Sequence, residues 1–348
     1  MKIEIYFVVF GIIVFLGIIQ ETSKSQIVKK LLTKSFFFIT FLLLILRSID
    51  TGADTRMYIN IFNYISKQSW SNPRYTNIEM GYCLLNKLIS IFSTDPYYFI
   101  LIMTILTLVP FHLFIKRYSL KPWISYLVYF TFGFFNFSFY IYRQGIAFSI
   151  LIFSLRYVEN RKLLKFVLCI IAAFFFHRTA IAFIIIYFIK DINITKKYLL
   201  YMFGGCFVIA IFSERIFNIA LSFARVKYPV GYTGGFNFLL FLLAVFLAVF
   251  LFNKKNLSDF PNKYFMNTFA AACVVQILSL NLEIFVRLTY YFALPMIILI
   301  PNTIYIMCRE NPRQRIVVEF MAVSFMAVWF VYTMYTSGWN NDYSFFWQ

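Results

Sequence analysis

The chain has 348 residues, of which 61% are hydrophobic, 22% are aromatic and only 13% are charged. An ordinary soluble domain is about one quarter charged, so this composition excludes a soluble protein and predicts one that lies in a bilayer. The formal net charge is +18, but the basic residues form short clusters at alternate ends of apolar runs. Such clusters set membrane orientation, so no nucleic-acid partner is expected. The five cysteines have no paired short spacing, and neither a disulfide nor a metal site is expected.

Twelve apolar runs follow one another along the chain. One crossing of the hydrocarbon core needs roughly 20 apolar residues, so several runs are short and are expected to be tilted, half-helical or re-entrant. We predict an all-α fold, a polytopic transmembrane helical bundle with about 12 membrane segments, forming a single integral membrane domain over residues 1–348. The runs are 5–19, 35–46, 97–115, 123–140, 144–158, 163–176, 179–189, 198–213, 236–252, 264–280, 284–307 and 316–335.

The basic residues also predict the topology. Twenty of the 32 lysines and arginines lie in alternate loops, which the positive-inside rule places in the cytoplasm, so both termini and the longest loop are expected outside. The stretch 163–189 is predicted to be a helical hairpin with His177 and Arg178 at its outer turn, because one long helix would invert the basic loops that follow. These basic loops are 24–34, 116–121, 156–165, 190–197, 254–263 and 309–315.

Two of the outer loops are long. The first, about 47–95, has helical apolar spacing in two places and is predicted to form two interfacial helices at the outer surface. The spacing is carried by Ile59, Phe62 and Ile65, and by Leu84, Leu88 and Ile91. The second, Glu214 to Gly235, ends in the turn-rich run YPVGYTGG and is predicted to be a mobile lid.

The residues that could carry chemistry begin where the second membrane helix is expected to emerge. Arg47, Asp50, Asp54 and Tyr58 occur there within twelve residues. One of the two carboxylates is a candidate to orient or deprotonate a sugar hydroxyl. The alternative is a structural N-cap of the next helix, which Asp commonly provides.

Further candidates follow in the same loop and at the start of the fifth run. Glu79 and Tyr82 combine a carboxylate with an aromatic ring, the usual equipment for holding a sugar, although an exposed loop acid can also be without function. Arg143 and Gln144 stand between two uncharged apolar runs. A guanidinium in that position usually faces a cavity or a partner and can bind pyrophosphate bidentately, while the alternative is an arginine that snorkels to the interface.

The last candidates lie at two further outer turns. His177 pairs a group that titrates near neutrality with the fixed charge of Arg178, although a lone histidine is more often structural. Glu283 and Arg287 are spaced i, i+4, followed by Tyr290, so they either form a helical ion pair or send Arg287 into the same anionic pocket as Arg143 and Arg178. His112, inside an apolar run, is expected to be structural.

Four motifs taken together resemble the EpsG family of polytopic Wzy-type polymerases of bacterial exopolysaccharide, capsule and O-antigen. They are R-x-x-D-x-G-x-D-x-x-x-Y at Arg47 to Tyr58, E-x-G-Y at Glu79 to Tyr82, Y-R-Q-x-x-A at Tyr142 to Ala147 and F-H-R-x-A at Phe176 to Ala180. The resemblance covers about Arg47 to Ile189 and returns weakly at Glu283 to Tyr291. It implies a glycosyltransferase of the bacterial inner membrane whose site faces the periplasm or exterior.

The resemblance also implies a substrate and a reaction. Repeat units linked to undecaprenyl pyrophosphate would be joined outside with release of undecaprenyl pyrophosphate, without a nucleotide sugar or other cofactor. Arg143, Arg178 and Arg287 would hold the pyrophosphate, with Asp50, Asp54, Glu79 or His177 as base. A chain-length regulator and a flippase are the protein partners it implies.

Three alternatives stay open from the sequence. A GT-C-type glycosyltransferase that uses a lipid-phosphate sugar wants an acidic pair at its first outer loop, which Asp50 and Asp54 would supply. A transporter of lipid-linked glycans or small solutes would place its charges along a path through the membrane, and a non-catalytic assembly partner needs no site.

Overall fold

The computed structural model describes residues 4–224, 235–253, 262–281, 284–307, 312–336 and 342–348. Within these ranges the chain is predominantly helical, and its one β contact is an isolated bridge between Arg47 and Phe345. The predicted all-α fold is thereby confirmed. The α-helices of the described ranges are α1 (Glu4–Thr22), α2 (Gln26–Ile45), α3 (Thr55–Ser66), α4 (Met80–Phe92), α5 (Pro96–Tyr118), α6 (Pro122–Thr131), α7 (Asn136–Phe139), α8 (Tyr142–Glu159), α9 (Leu163–Phe176), α10 (Ile186–Ile189), α11 (Lys196–Ala224), α12 (Phe236–Asn253), α13 (Asn262–Ser279), α14 (Ile284–Ala293), α15 (Met296–Met307) and α16 (Pro312–Thr336), and a 3₁₀ helix (Arg178–Ile185) precedes α10.

Every predicted apolar run coincides with one helix or with two consecutive helices. Four helices in the described ranges are long and apolar enough to cross a bilayer, namely α1, α5 and the greater parts of α11 and α16. A fifth crossing results if the bent pair α14 and α15 counts as one. These helices support a polytopic membrane bundle, while the count of about 12 segments stays a prediction because the other runs are shorter or more polar.

Two predicted runs are broken rather than continuous. After α6, Gly133 takes a φ of +85°, a left-handed conformation that ends helices. Between α14 and α15 the chain bends by 41° at Leu294 and Pro295, and proline interrupts a helix because it lacks an N–H donor. The two broken stretches pack together, since the Tyr290 ring centre lies 5.5 Å from that of Phe134. Irregular backbone is tolerated at membrane depth only where protein buries it in this way.

The predicted hairpin at 163–189 is confirmed. The helix α9 ends at Phe176, His177 is extended with φ of −157°, and the chain returns as the 3₁₀ helix and α10. An ion pair at 3.4 Å between Arg161 and Asp191 joins the two ends of the hairpin. His177 and Arg178 therefore lie at its turn, as predicted, although much of the returning arm is 3₁₀ rather than α-helical.

Described residues of several predicted cytoplasmic loops, with the helix ends beside them, meet at one end of the bundle, which we call the basic end. Lys121 contacts Glu21 at 2.8 Å and Glu319 at 2.5 Å, and Arg117 contacts Glu159 at 2.7 Å. Because α8 leads from Arg143 to Glu159 and α9 leads back to His177, the candidate residues collect at the opposite end, which we call the site end.

Both described termini also lie at the site end. The Tyr343 hydroxyl donates to the Leu43 carbonyl oxygen at 2.9 Å, and the Tyr343 ring centre lies 5.8 Å from that of Tyr6. The Ser48 amide donates to the Ser344 carbonyl oxygen at 2.8 Å. The termini and the start of the first outer loop thus share one end of the bundle, as the predicted topology requires.

The structure agrees with the prediction for the first of the two long loops and differs from it for the second. The first contains the two predicted helices, α3 and α4, and α3 is anchored on the bundle by a Phe62–Phe99 ring stack at 4.8 Å. The prediction that the second loop begins at Glu214 is wrong, because α11 continues as a helix from Glu214 to Ala224. Residues 225–234, which contain most of the turn-rich run, lie outside the described residues.

Candidate functional site

Three of the predicted residues, taken from different parts of the chain, form one charged cluster at the site end. Arg143 Nη1 lies 2.7 Å from Glu79 Oε2, and His177 Nδ1 lies 3.4 Å from Glu79 Oε1. All three side chains are largely buried, with 10% of Glu79, 14% of His177 and 19% of Arg143 exposed. One carboxylate therefore bridges a fixed cation and an imidazole, and we call these residues the Glu79 cluster.

The backbone explains how these residues reach one another. Glu79 is the residue before α4, Arg143 is in the first turn of α8, and His177 ends α9. Gly81 makes this approach feasible, because a Cβ atom there would lie 2.7 Å from the Phe175 carbonyl oxygen. Any larger residue would push α4 away from the end of α9 and so separate Glu79 from His177.

The electrostatics of the cluster bear on its chemistry. Burial by itself raises the pKa of Glu79, but His177 and Arg143 outweigh this effect and lower the pKa to about 2. The carboxylate is therefore ionised across the physiological range. A general base works best when its pKa is near the working pH, so Glu79 is suited to orient its two partners rather than to accept a proton.

Arg178 adds a second cation beside this cluster. It is exposed and lines a cavity of about 300 Å³ together with Arg74, Glu79, Phe175 and Cys83 among others. Two guanidinium groups around one opening can bind an anionic group with several charge-assisted hydrogen bonds. Arg74 was not among the predicted residues.

Arg287 on α14 approaches the cluster through Gln144, the neighbour of Arg143 on α8. Gln144 is buried and its Nε2 donates to the Arg287 carbonyl oxygen at 2.6 Å. The Arg287 side chain is exposed. The structure thus brings Arg143, Arg178 and Arg287 to one end of the bundle. Glu283, the predicted partner of Arg287, lies outside the described residues.

Arg47 has a different environment from the one expected of a substrate-binding residue. It is fully buried and donates to the Tyr142 hydroxyl, to the Thr51 carbonyl oxygen at 3.2 Å and to Thr55 Oγ1 at 3.3 Å. Its guanidinium carbon lies 4.4 Å from the centre of the Phe139 ring. Arg47 therefore holds the start of the outer loop against α8, and through Tyr142 it fixes the turn that carries Arg143.

Two predicted tyrosines belong to the same interior. Tyr58 and Tyr82 are buried, with ring centres 5.6 Å apart, and Tyr142 lies 5.3 Å from Tyr58. These rings pack α3, α4 and α8 together beneath Arg143. Their burial gives them a supporting position under the Glu79 cluster rather than an exposed one.

The two aspartates of the first motif lie outside the cluster. Asp50 is exposed and accepts from Arg56 Nε at 2.6 Å, a surface pair of the kind that contributes little to stability. Asp54 is half-buried and occupies the N-cap position of α3, but its side chain makes no capping hydrogen bond. Because Asp50 is exposed and Asp54 is half-buried, Asp54 is the more enclosed of the two carboxylates.

Tyr290 belongs to a second and larger feature of the site end. It lines a cavity of about 530 Å³ bounded by α1, α6, α12, α13 and α16. The cavity also includes Gln276, Asn237 and Trp329, none of which the sequence singled out. Their only signal is that each lies near the predicted outer end of its apolar run. Among the described residues, no group of three or more His, Cys, Asp or Glu side chains could hold a metal ion.

A helical bundle with several long apolar helices and its candidate residues gathered at one end is the architecture of a polytopic integral membrane protein. The chain belongs to the EpsG family, whose sequence model matches residues 30–347, nearly the whole chain. Members of this family are Wzy-type polymerase-like, which supports a general role in polysaccharide biosynthesis. No curated protein matches the chain, and no solved structure does.

Proposed function

We propose that this protein joins oligosaccharide repeat units linked to undecaprenyl pyrophosphate, at the outer face of the bacterial inner membrane. The observation that carries the proposal is the Glu79 cluster, which lies beside Arg178 at the end of the bundle opposite the basic loops. Membership of the EpsG family supports it independently. By the positive-inside rule the basic end is cytoplasmic, so the cluster faces the exterior.

In the proposed reaction a hydroxyl at the non-reducing end of the incoming repeat attacks the anomeric carbon of the growing chain. A new glycosidic bond forms, the bond between the anomeric carbon and the pyrophosphate oxygen breaks, and undecaprenyl pyrophosphate leaves with that electron pair. Arg178, Arg287 and Arg143 neutralise the charge on the leaving group. The proton of the attacking hydroxyl passes to a base of the protein.

His177 is the base that we propose. Glu79 remains ionised because its pKa is about 2, and Asp50 is an exposed partner of Arg56. A carboxylate next to one imidazole nitrogen favours the tautomer and orientation in which the other nitrogen accepts a proton. Glu79 would thus be a positioning residue for both His177 and Arg143, and Asp54 is the competing carboxylate.

The test is elongation of a purified lipid-linked repeat by the purified protein in nanodiscs. The chain has two histidines, and His112, whose Nδ1 lies 2.6 Å from the Tyr126 hydroxyl, is the matched control. We expect His177→Gln to reduce elongation by about 100-fold or more, and His112→Gln to leave it near the wild-type rate.

Three results would contradict parts of the proposal. Normal polymer from His177→Gln would remove His177 as the base, and loss of elongation in Asp54→Asn alone would assign that role to Asp54. Failure of the wild-type protein to elongate the purified repeat would remove the polymerase function. Transfer of a single sugar from a lipid-phosphate donor would instead support a GT-C-type glycosyltransferase.

A further inference from the structure

The larger cavity of the site end has a lining that differs from the Glu79 cluster. Its volume of about 530 Å³ falls within the roughly 300–1,000 Å³ typical of ligand sites. Of the twenty described residues that line it, eleven are aromatic and none is charged. The described lining offers no counter-charge to an anionic pyrophosphate, and it suits an uncharged group.

The polar groups of the lining distinguish between uncharged occupants. Gln276 Nε2 donates to the Gly235 carbonyl oxygen at 3.2 Å, which leaves Gln276 Oε1 buried without a hydrogen-bond partner in the described part of the chain. The Tyr6 hydroxyl is in the same situation, and Asn136 and Asn237 also line the cavity. A hydrocarbon chain would leave the Gln276 carbonyl oxygen and the Tyr6 hydroxyl unpaired at a cost, whereas a ligand with hydroxyl groups satisfies them.

The aromatic walls favour the same class of ligand. Trp329 and Phe241 stack with ring centres 4.7 Å apart, and Phe238 stacks on Tyr290 at 5.6 Å. These pairs hold Phe238, Tyr290 and Trp329 as fixed apolar surfaces. A sugar ring has an apolar face that packs on such a surface and a rim of hydroxyl groups that reaches amides.

The cavity adjoins the charged part of the site. The buried Arg47 guanidinium lies over Phe139, which lines the cavity. Tyr290, which also lines the cavity, lies one helical turn beyond Arg287 on α14. A glycan in the cavity would therefore continue toward the arginines.

We infer that this cavity is a subsite for uncharged sugar residues of the glycan, separate from the arginines that face the pyrophosphate. The inference rests on the proposed function, because it assigns a part of the same substrate to a part of the same site. Gln276 and Tyr6 accept or donate to sugar hydroxyls, and Trp329 and Tyr290 pack on the ring.

The experiment measures binding rather than turnover. Two probes are titrated calorimetrically into the full-length protein in nanodiscs: the oligosaccharide released from its carrier by mild acid, and undecaprenyl phosphate. The matched variants are Gln276→Leu and Asn267→Leu, both on α13. Each removes a buried amide that donates to a backbone carbonyl oxygen, but Asn267 contacts Lys190 and Ile192 at the basic end.

We expect Gln276→Leu to raise the Kd for the oligosaccharide about tenfold and to leave the Kd for undecaprenyl phosphate unchanged. Asn267→Leu is expected to change neither Kd. If Gln276→Leu fails to reach the membrane, Asn237→Leu is the deciding variant, because Asn237 is exposed at the start of α12 and its replacement should not disturb folding. We expect Asn237→Leu to weaken oligosaccharide binding about threefold.

Unchanged oligosaccharide binding in the deciding variant, or a change confined to undecaprenyl phosphate, would overturn the subsite in favour of a lipid groove. The proposed function can fail separately. Wild-type protein that binds the oligosaccharide through Gln276 but does not elongate the lipid-linked repeat would contradict the polymerase and support the subsite.

Discussion

At the basic end of the bundle the described acidic groups join helices, whereas at the site end the Glu79 carboxylate holds an arginine and a histidine beside further exposed arginines. Lys121 is 2% exposed and lies between Glu21 and Glu319, so it ties α1 and α16 to the start of α6. At the site end Glu79 pairs with Arg143 and His177, while Arg178 and Arg287 remain exposed.

The difference shows how the same residue types support a scaffold in one place and a site in another. Charges that are buried and matched hold helices together and have little left to offer a ligand. A surplus of exposed arginines beside one ionised carboxylate leaves donors free for an anion. The nature of the partners, rather than the presence of charge, distinguishes the two ends.

Of the three effects predicted for the two ends, the largest is expected when lysine replaces Arg143 and its guanidinium group is lost. Arg143 and Arg117 each lie 2.7 Å from a glutamate, Glu79 and Glu159 respectively, with 19% of the Arg143 and 58% of the Arg117 side chain exposed. Lysine keeps the charge but loses bidentate geometry. We expect Arg143→Lys to reduce elongation in nanodiscs about 100-fold, and Arg117→Lys to stay within about twofold of wild type, since it acts at the scaffold end.

Two outcomes would break this comparison. Wild-type polymer length and rate from Arg143→Lys would show that the Glu79 cluster does not need a guanidinium. Equal losses from Arg143→Lys and Arg117→Lys, at equal protein levels, would show that both ends act on the reaction in the same indirect way.

A smaller effect, on stability rather than rate, is expected at the basic end. Lys121→Met leaves Glu21 and Glu319 without their shared cation. Arg315, 3.9 Å from each carboxylate, is the cation that remains beside them. Breaking such a buried pair costs about 3 kcal/mol. The melting temperature of the variant in detergent should therefore be lower than that of the wild type, while elongation per folded molecule stays at the wild-type level. A variant with a normal melting temperature but little polymer would contradict the assignment of this end as a scaffold.

The smallest effect concerns pH. The pKa of Glu79 is lowered to about 2, so its contribution to stability is complete above the ordinary carboxyl pKa and declines as pH falls toward 2. The melting-temperature gap between wild type and Glu79→Gln should thus be equal at pH 7 and 5.5 and smaller at pH 4. A gap that closes between pH 7 and 5.5 would mean that Glu79 titrates near neutrality and can act as a base after all.

The sequence determined the helical class, the helices of the first outer loop and the hairpin turn at His177. These are local properties, because apolar runs, helical spacing and basic clusters each report on a segment and its solvent. It also singled out Glu79, Arg143 and His177, since charged residues beside apolar runs are costly unless they have a partner or a function. The distribution of basic residues between alternate loops placed them on one predicted side of the membrane.

Only the tertiary structure decided which of these residues meet. Glu79 and His177 are 98 positions apart and come together because Gly81 allows α4 to approach the end of α9. Arg47 looked as exposed as Arg143 in the sequence, yet Tyr142, Thr55 and Phe139 enclose it. The aromatic cavity is assembled from the ends of helices distant in sequence, so no single segment carried its pattern. Burial and pairing depend on contacts between segments, and these contacts are set by packing rather than by local periodicity.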